Sequence, residues 1–147
     1  MRVQINHTRY PSIPHGLVKR VMAAAAAAVP RYRHAGVSVA FVADAVSRRL
    51  NRQYRHIDRP TDVLSFPERD AKPIFLTRGY IGEIVIAVPQ TRRQARELLH
   101  PFTDEVAALL IHGWLHLIGY DHINKSDARR MRGLAKRIWR AYELHAR

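Results

Sequence analysis

Residues His112 to His122 read HGWLHLIGYDH and set three histidines in the order H-x3-H-x5-H. His112 and His116 stand four residues apart, so on a helix their imidazoles leave one face a turn apart. Gly119, between the second and third histidines, is the residue type that takes left-handed backbone where a helix ends. Such a turn swings His122 back beside the other two. Three neutral nitrogens converging without a fourth protein ligand is the arrangement of a catalytic zinc ion, whose remaining position holds water. A single histidine in such a place is more often a half-buried, hydrogen-bonded side chain. Three at this spacing, with the glycine in place, point to a metal.

The same spacing follows the metzincin pattern H-E-x-x-H-x-x-G-x-x-H with one departure: Gly113 stands where that pattern has glutamate. In zinc peptidases the glutamate is the general base that activates the metal's water. A zinc metallopeptidase or amidohydrolase is therefore the weaker alternative. The metal can still act as a Lewis acid on a phosphoryl oxygen and lower the pKa of its water. Asp121 either orients a ligand imidazole or simply forms the turn.

Composition turns that metal towards phosphate. Lys and Arg number 25 against 12 Asp and Glu, a formal charge of +13. Most of the cations are arginine, which grips phosphate in a bidentate fork. A merely solvated basic surface is the lesser alternative, and an anionic membrane surface a weaker one still. There is no cysteine, so disulfides, thiolate ligands and cysteine nucleophiles are excluded, and any metal rests on His, Asp or Glu. A cytoplasmic location is compatible with this. No apolar run approaches the ~20 residues that span a bilayer. Val21 to Val29, with alanines at 23 to 28, lies too far from Met1 for a leader and reads as a helix.

The elements that must position these residues follow from pattern and punctuation. Arg2 to Ile5 suggests an edge strand. Pro14 opens a helix to about Val29, which Pro30 stops. Val37 to Val42 reads as a buried strand. Asp44 to about Tyr54 is helical, with Val46 and Leu50 inward and Arg48, Arg49 and Arg52 outward. Pro60, Thr61 and Asp62 form a turn before a strand over Val63 to Phe66, and residues 67 to 80 form a loop. Ile81 to Val88 is the most apolar strand, closed by Pro89. Thr91 with Gln94 predicts a capping box for a helix to about Leu99. Thr103, with Asp104 and Glu105 in the first turn, starts the helix to Ile118 that carries His112 and His116. Ser126 with Asp127 starts a last, basic helix. The expected fold is α+β, one domain over residues 1–147. A small mixed sheet is packed by helices, with the three-histidine site at the end of a central helix.

With these residues read, the chain resembles the YbeY family of bacterial endoribonucleases linked to ribosomal RNA maturation. HGWLHLIGYDH is similar to that family's H-G-x-L-H-L-x-G-Y-D-H motif. NRQYRHIDRPTDVLSFP, Asn51 to Pro67, resembles its N-x-x-Y-R…P-T-D-V-L-S-F-P segment, and GEIVI, Gly82 to Ile86, its G-D-I-x-I strand. The resemblance implies one Zn2+, or another divalent ion, on His112, His116 and His122. It also implies a catalytic role for Arg55 beside His112, and a single-strand-specific endoribonuclease active in ribosomal RNA processing and ribosome quality control. Implied partners are precursor ribosomal RNA and the small ribosomal subunit. An arginine across the cleft would offset charge developing on the scissile phosphate. Glu83, where the family segment has aspartate, receives no definite role. His56 is expected to be a loop histidine, with a place near the metal as the alternative. Thr61, Asp62 and Ser65 are expected near the cleft, Asp62 chiefly as a turn cap. From Asn124 onward eight Lys or Arg stand against two acidic residues, so this stretch could hold RNA, with Trp139 and Tyr142 stacking. The remaining alternative is a non-catalytic ribosome-assembly factor whose zinc is structural.

Overall fold

A computed structural model describes residues 1–68, 79–121 and 123–146. The third histidine, His122, and most of the expected 67–80 loop lie outside the described residues. Four strands, β1 (Arg2–Asn6), β2 (Gly36–Val42), β3 (Val63–Pro67) and β4 (Tyr80–Ala87), form one sheet in the order β1-β2-β4-β3. β1 pairs parallel with β2 and β2 parallel with β4, whereas β3 runs antiparallel along β4. The sheet is therefore mixed, and β1 is an edge strand as its short alternating pattern suggested.

Helix α1 (His15–Ala28) takes Pro14 as its N-cap and ends at Val29, ahead of a 3-10 turn at Pro30–Tyr32. Its alanines Ala24, Ala25 and Ala26 are buried; short side chains let α1 lie close to α4 (Phe102–Leu117) and α5 (Lys125–Ala146). α1 and α4 cover the sheet face that carries Val37, Val39, Phe41, Ile84 and Ile86, all at most 3 % exposed, and α5 packs on both helices. Trp114 is fully buried in this core and meets Tyr32 edge-on at 5.9 Å. Residues of opposite parity face away, so Glu83 and Val85 lie beside Leu50 of α2 (Asp44–Arg55).

Three expected helix starts are corrected. α3 (Val88–Glu97) begins before Thr91, because Pro89 in its first turn has its φ already set for a helix. Thr91 is thus interior and fully buried, its hydroxyl donating to the Ala87 carbonyl at 2.7 Å, and Gln94 turns to Asp62 and Glu105 instead. The capping box does not form. α4 starts at Phe102 on Pro101 rather than at Thr103, with Asp104 and Glu105 in its first turn as expected. α5 starts at Lys125, and Asn124 Oδ1 accepts the Ser126 N–H at 2.9 Å. No helix among the described residues is long and apolar enough to cross a membrane.

At the end of α3, Leu99 adopts φ 56° and is 91 % exposed. Its N–H bonds the Arg96 carbonyl and the His100 N–H that of Ala95, the paired bonds of a helix end that favours glycine. Leu99→Gly is expected to raise stability by about 1 kcal/mol, the strain of a β-carbon in left-handed backbone. Urea denaturation measures it, and an unchanged midpoint refutes the strain.

Candidate metal centre and active-site cleft

Where α4 leaves the core, its exposed side presents His112 and His116, both half-buried. Their Nε2 atoms lie 3.0 Å apart, with the rings near perpendicular at 76°. His116 Nδ1 stands 2.9 Å from the Tyr120 carbonyl oxygen. A carbonyl only accepts, so Nδ1 carries the proton and Nε2 keeps its lone pair for the cleft. Two ring nitrogens this close repel unless a proton or cation lies between them. A histidine fixed from behind by a carbonyl is also the usual support of a metal ligand. These two residues fit a divalent ion; among the described residues no group of three ligands forms, His122 being outside them.

Gly119 builds that support. It takes φ +100°, its N–H bonds the His116 carbonyl, and the Tyr120 N–H bonds that of Leu115, each at 3.1 Å. This is the Schellman closure, and it folds the Tyr120 carbonyl back over the His116 ring. The Asp121 carboxylate accepts the Ile123 N–H at 3.2 Å, which matches the turn-forming reading of that residue.

Gly113 explains why no glutamate follows His112. A β-carbon there would lie 2.8 Å from Ile84 Cγ2, 3.2 Å from Ser65 Oγ and 3.3 Å from Val63 Cγ2. Position 113 faces the sheet and not the cleft, and Ser65 Oγ donates to the Gly113 carbonyl at 2.9 Å. The helix approaches β3 and β4 too closely for any side chain here.

Arg55 stands across the cleft at the last turn of α2. The hollow between them, about 710 Å³, is lined by Arg55, Tyr54, Ser65, His112, His116 and Asp121 among others. Thr61, Asp62 and His56 do not line it, although the first two were expected near it. His56 is the left-handed C-cap of α2 at φ 59°, its N–H on the Asn51 carbonyl, with its side chain exposed. Asp62 accepts from the Val63 N–H at 2.7 Å and from Gln94 Nε2 at 3.0 Å, which fixes the turn.

Sequence reasoning missed the residues that tie down the loop following Arg55. On α2 the buried positions are Ser47 and Asn51, at 1 % and 2 % exposure, while Val46 and Leu50 are only half-buried. Ser47 Oγ donates to the Thr61 carbonyl at 2.7 Å and accepts the Thr61 N–H at 3.0 Å; Asn51 Nδ2 donates to the Arg59 carbonyl at 2.8 Å. The loop after α2 is thereby sewn back onto it. The readable signal was two polar residues at i, i+4 before a loop whose buried backbone groups need partners. Arg48 adds a forked pair with Asp58 at 2.9 and 3.1 Å. That hydrogen bond holds the Asp58 carboxyl below its ordinary value of 3.8. A lowered carboxyl stabilises the fold fully above that value and loses its contribution as the pH falls below it.

Glu83 lies on the other face of the sheet, away from the histidines. Along α5, Met131, Ile138 and Tyr142 are buried, and Leu134 and Trp139 are packed partly into the core. Neither ring is displayed for stacking; Arg129, Arg130, Arg132, Lys136, Arg137 and Arg140 are exposed.

A model of the endoribonuclease YbeY family matches residues 4–143. The chain belongs to the YbeY family. Relatives named endoribonuclease YbeY include one from Shouchella clausii, 41 % identical over 136 residues, which are 87 % of this chain and 85 % of the relative. One from Desulfitobacterium hafniense is 42 % identical over 80 % of this chain and 78 % of its own. One from Methylocella silvestris is 47 % identical over 71 % of this chain, but over only 57 % of its own length. The solution structure of a Thermotoga maritima protein superposes with a TM-score of 0.59 at 26 % identity, covering 98 % of this chain and 92 % of that one. His112 and His116 of the motif thus line the same cleft as Tyr54 and Arg55.

Proposed function

We propose that residues 1–147 form one hydrolase domain, a zinc-dependent endoribonuclease that cleaves single-stranded RNA. The observation that carries this is the convergence of His112, His116 and Arg55 on one cleft, in a chain of charge +13. His112, His116 and His122 would hold the ion. When bound, it supplies a Lewis acid for a phosphoryl oxygen and a lowered pKa for water.

The chain's own residues do the rest. The carbonyl of Tyr120 keeps His116 in the tautomer that offers Nε2 to the cleft. Arg55, exposed and without an acidic partner among the described residues, grips a non-bridging phosphate oxygen and offsets charge as the linkage breaks. The sewn loop beneath it limits the conformations that gripping must restrict. The exposed arginines of α5 suit RNA through phosphate contacts alone. Precursor ribosomal RNA and the small ribosomal subunit are the proposed partners, ribosomal RNA maturation and ribosome quality control the process, and the cytoplasm the place. The peptidase alternative loses support from Gly113, since the position of its base is filled by the sheet.

The test compares cleavage of single-stranded and paired RNA of one sequence by the parent protein and by Arg55→Ala. Arg55→Ala is expected to lose about 10²-fold in rate, the scale for one preorganised donor to a developing oxyanion. Its binding should also depend less steeply on salt. Equal rates for the two proteins would mean that Arg55 does not meet the phosphate.

A further inference from the structure

Phe66 pairs directly with Glu83 across β3 and β4, so both side chains stand on the sheet face turned away from α4. Tyr54 meets Phe66 edge-on, with centroids 4.9 Å apart, and remains 57 % exposed. Both rings line the cleft of His112 and Arg55. Both also line a second hollow of about 660 Å³ whose other walls include Leu50, Val85 and Glu83. The two rings are thus a ridge over the edge strand β3, with the histidine cleft on one side and this hollow on the other.

The second hollow has the opposite chemistry. Among the described residues none that lines it is basic, and the Glu83 carboxylate repels phosphate. Glu83 is half-buried and has no hydrogen-bond or ion-pair partner among the described residues. An exposed aromatic ring beside a lone acceptor suits an unstacked base of single-stranded nucleic acid. An ionised carboxylate only accepts. Guanine alone places two donors, N1–H and the N2 amine, side by side on its pairing edge. Adenine and cytosine put a ring acceptor beside their amine, and uracil flanks its N3–H with two carbonyls.

We propose that the hollow between Glu83 and the Tyr54–Phe66 pair is a base subsite that takes a guanine next to the cleaved linkage. Tyr54 stacks on the base, and Glu83 accepts from N1–H and the N2 amine. This rests on the RNA reading above, and gives the enzyme a preference that phosphate contacts cannot supply.

The test is binding of labelled hexauridylate carrying one central guanosine, inosine or adenosine, followed by fluorescence anisotropy. The parent protein is expected to hold the guanosine oligomer about 10-fold tighter than the adenosine one, as hydrogen bonds to a charged group allow, with inosine between because it lacks the amine. Glu83→Gln should keep affinity for plain hexauridylate, which reports an intact fold, and lose the ranking. Tyr54→Ala should weaken every oligomer by about 10-fold without changing the ranking, because stacking is tolerant of base identity; Tyr54→Phe should restore it. Equal binding of guanosine and adenosine oligomers by the parent overturns the subsite alone. A guanosine preference that survives in Glu83→Gln overturns it too. If the parent binds none of the oligomers, the RNA reading itself fails and the subsite with it.

Discussion

His116→Ala is expected to lower RNA cleavage roughly 10³-fold, since a Lewis-acid contribution of several kcal/mol amounts to a factor of ten per 1.36 kcal/mol. The same variant should bind less zinc by elemental analysis of the purified protein. The two readouts separate causes: lost metal with lost cleavage places His116 in the metal's shell, whereas lost cleavage at full occupancy assigns it to substrate. Its side chain is half-buried at the cleft, clear of the Trp114 and Leu115 core, so the helix should persist by circular dichroism. Chelation of the parent should reproduce the loss, and added zinc should reverse it. Full cleavage by a metal-free His116→Ala protein would remove the metal from the reaction.

Gly113→Glu, which completes the zinc-peptidase pattern on paper, is expected to cost about 4 kcal/mol or more and to confer no peptidase activity. The costs are overpacking and a carboxylate buried without a partner. Ile84 Cγ2, 2.8 Å from the position of the first added carbon, sits fully buried in the sheet. The added side chain would also prise α4 from β3, where Ser65 bonds the Gly113 carbonyl. Gly113→Ala separates size from charge: its overpacking is partly offset by the ~1 kcal/mol that alanine gains over glycine in a helix. Denaturant titration of both variants decides. A Gly113→Glu protein as stable as the parent would refute the close approach of helix and sheet.

Much of this arrangement was legible in the residues. Apart from β1, the strands are short, rich in apolar and β-branched residues and marked by proline or glycine at an end, and α4 carries its histidines at helical spacing with acidic residues in its first turn. What stayed hidden depends on partners distant in the chain. Thr91 and Gln94 satisfy a capping pattern locally, but Pro89 starts the helix earlier and Glu105 claims the glutamine. Ser47 and Asn51 look like an outward polar pair until the returning loop at Arg59 and Thr61 needs its backbone groups met. Gly113 reads as a missing base in one dimension and as a contact surface in three. Trp139 and Tyr142 sit among arginines in sequence yet turn inward, because α5 must bury one face against α1 and α4.

The Schellman closure at Gly119 also makes the site's persistence measurable without substrate or ion. The hydrogen bonds that end α4 and the one that sets the His116 ring share a single turn of backbone. They can only open together, so the free energy of that local opening caps how long the ring stays preset. Amide hydrogen exchange at Gly119 and Tyr120 would read that energy directly. Gly119→Ala, which meets no neighbouring atom and strains only the backbone, should speed exchange there while leaving the core amides of Leu110 and Ile84 as slow as before.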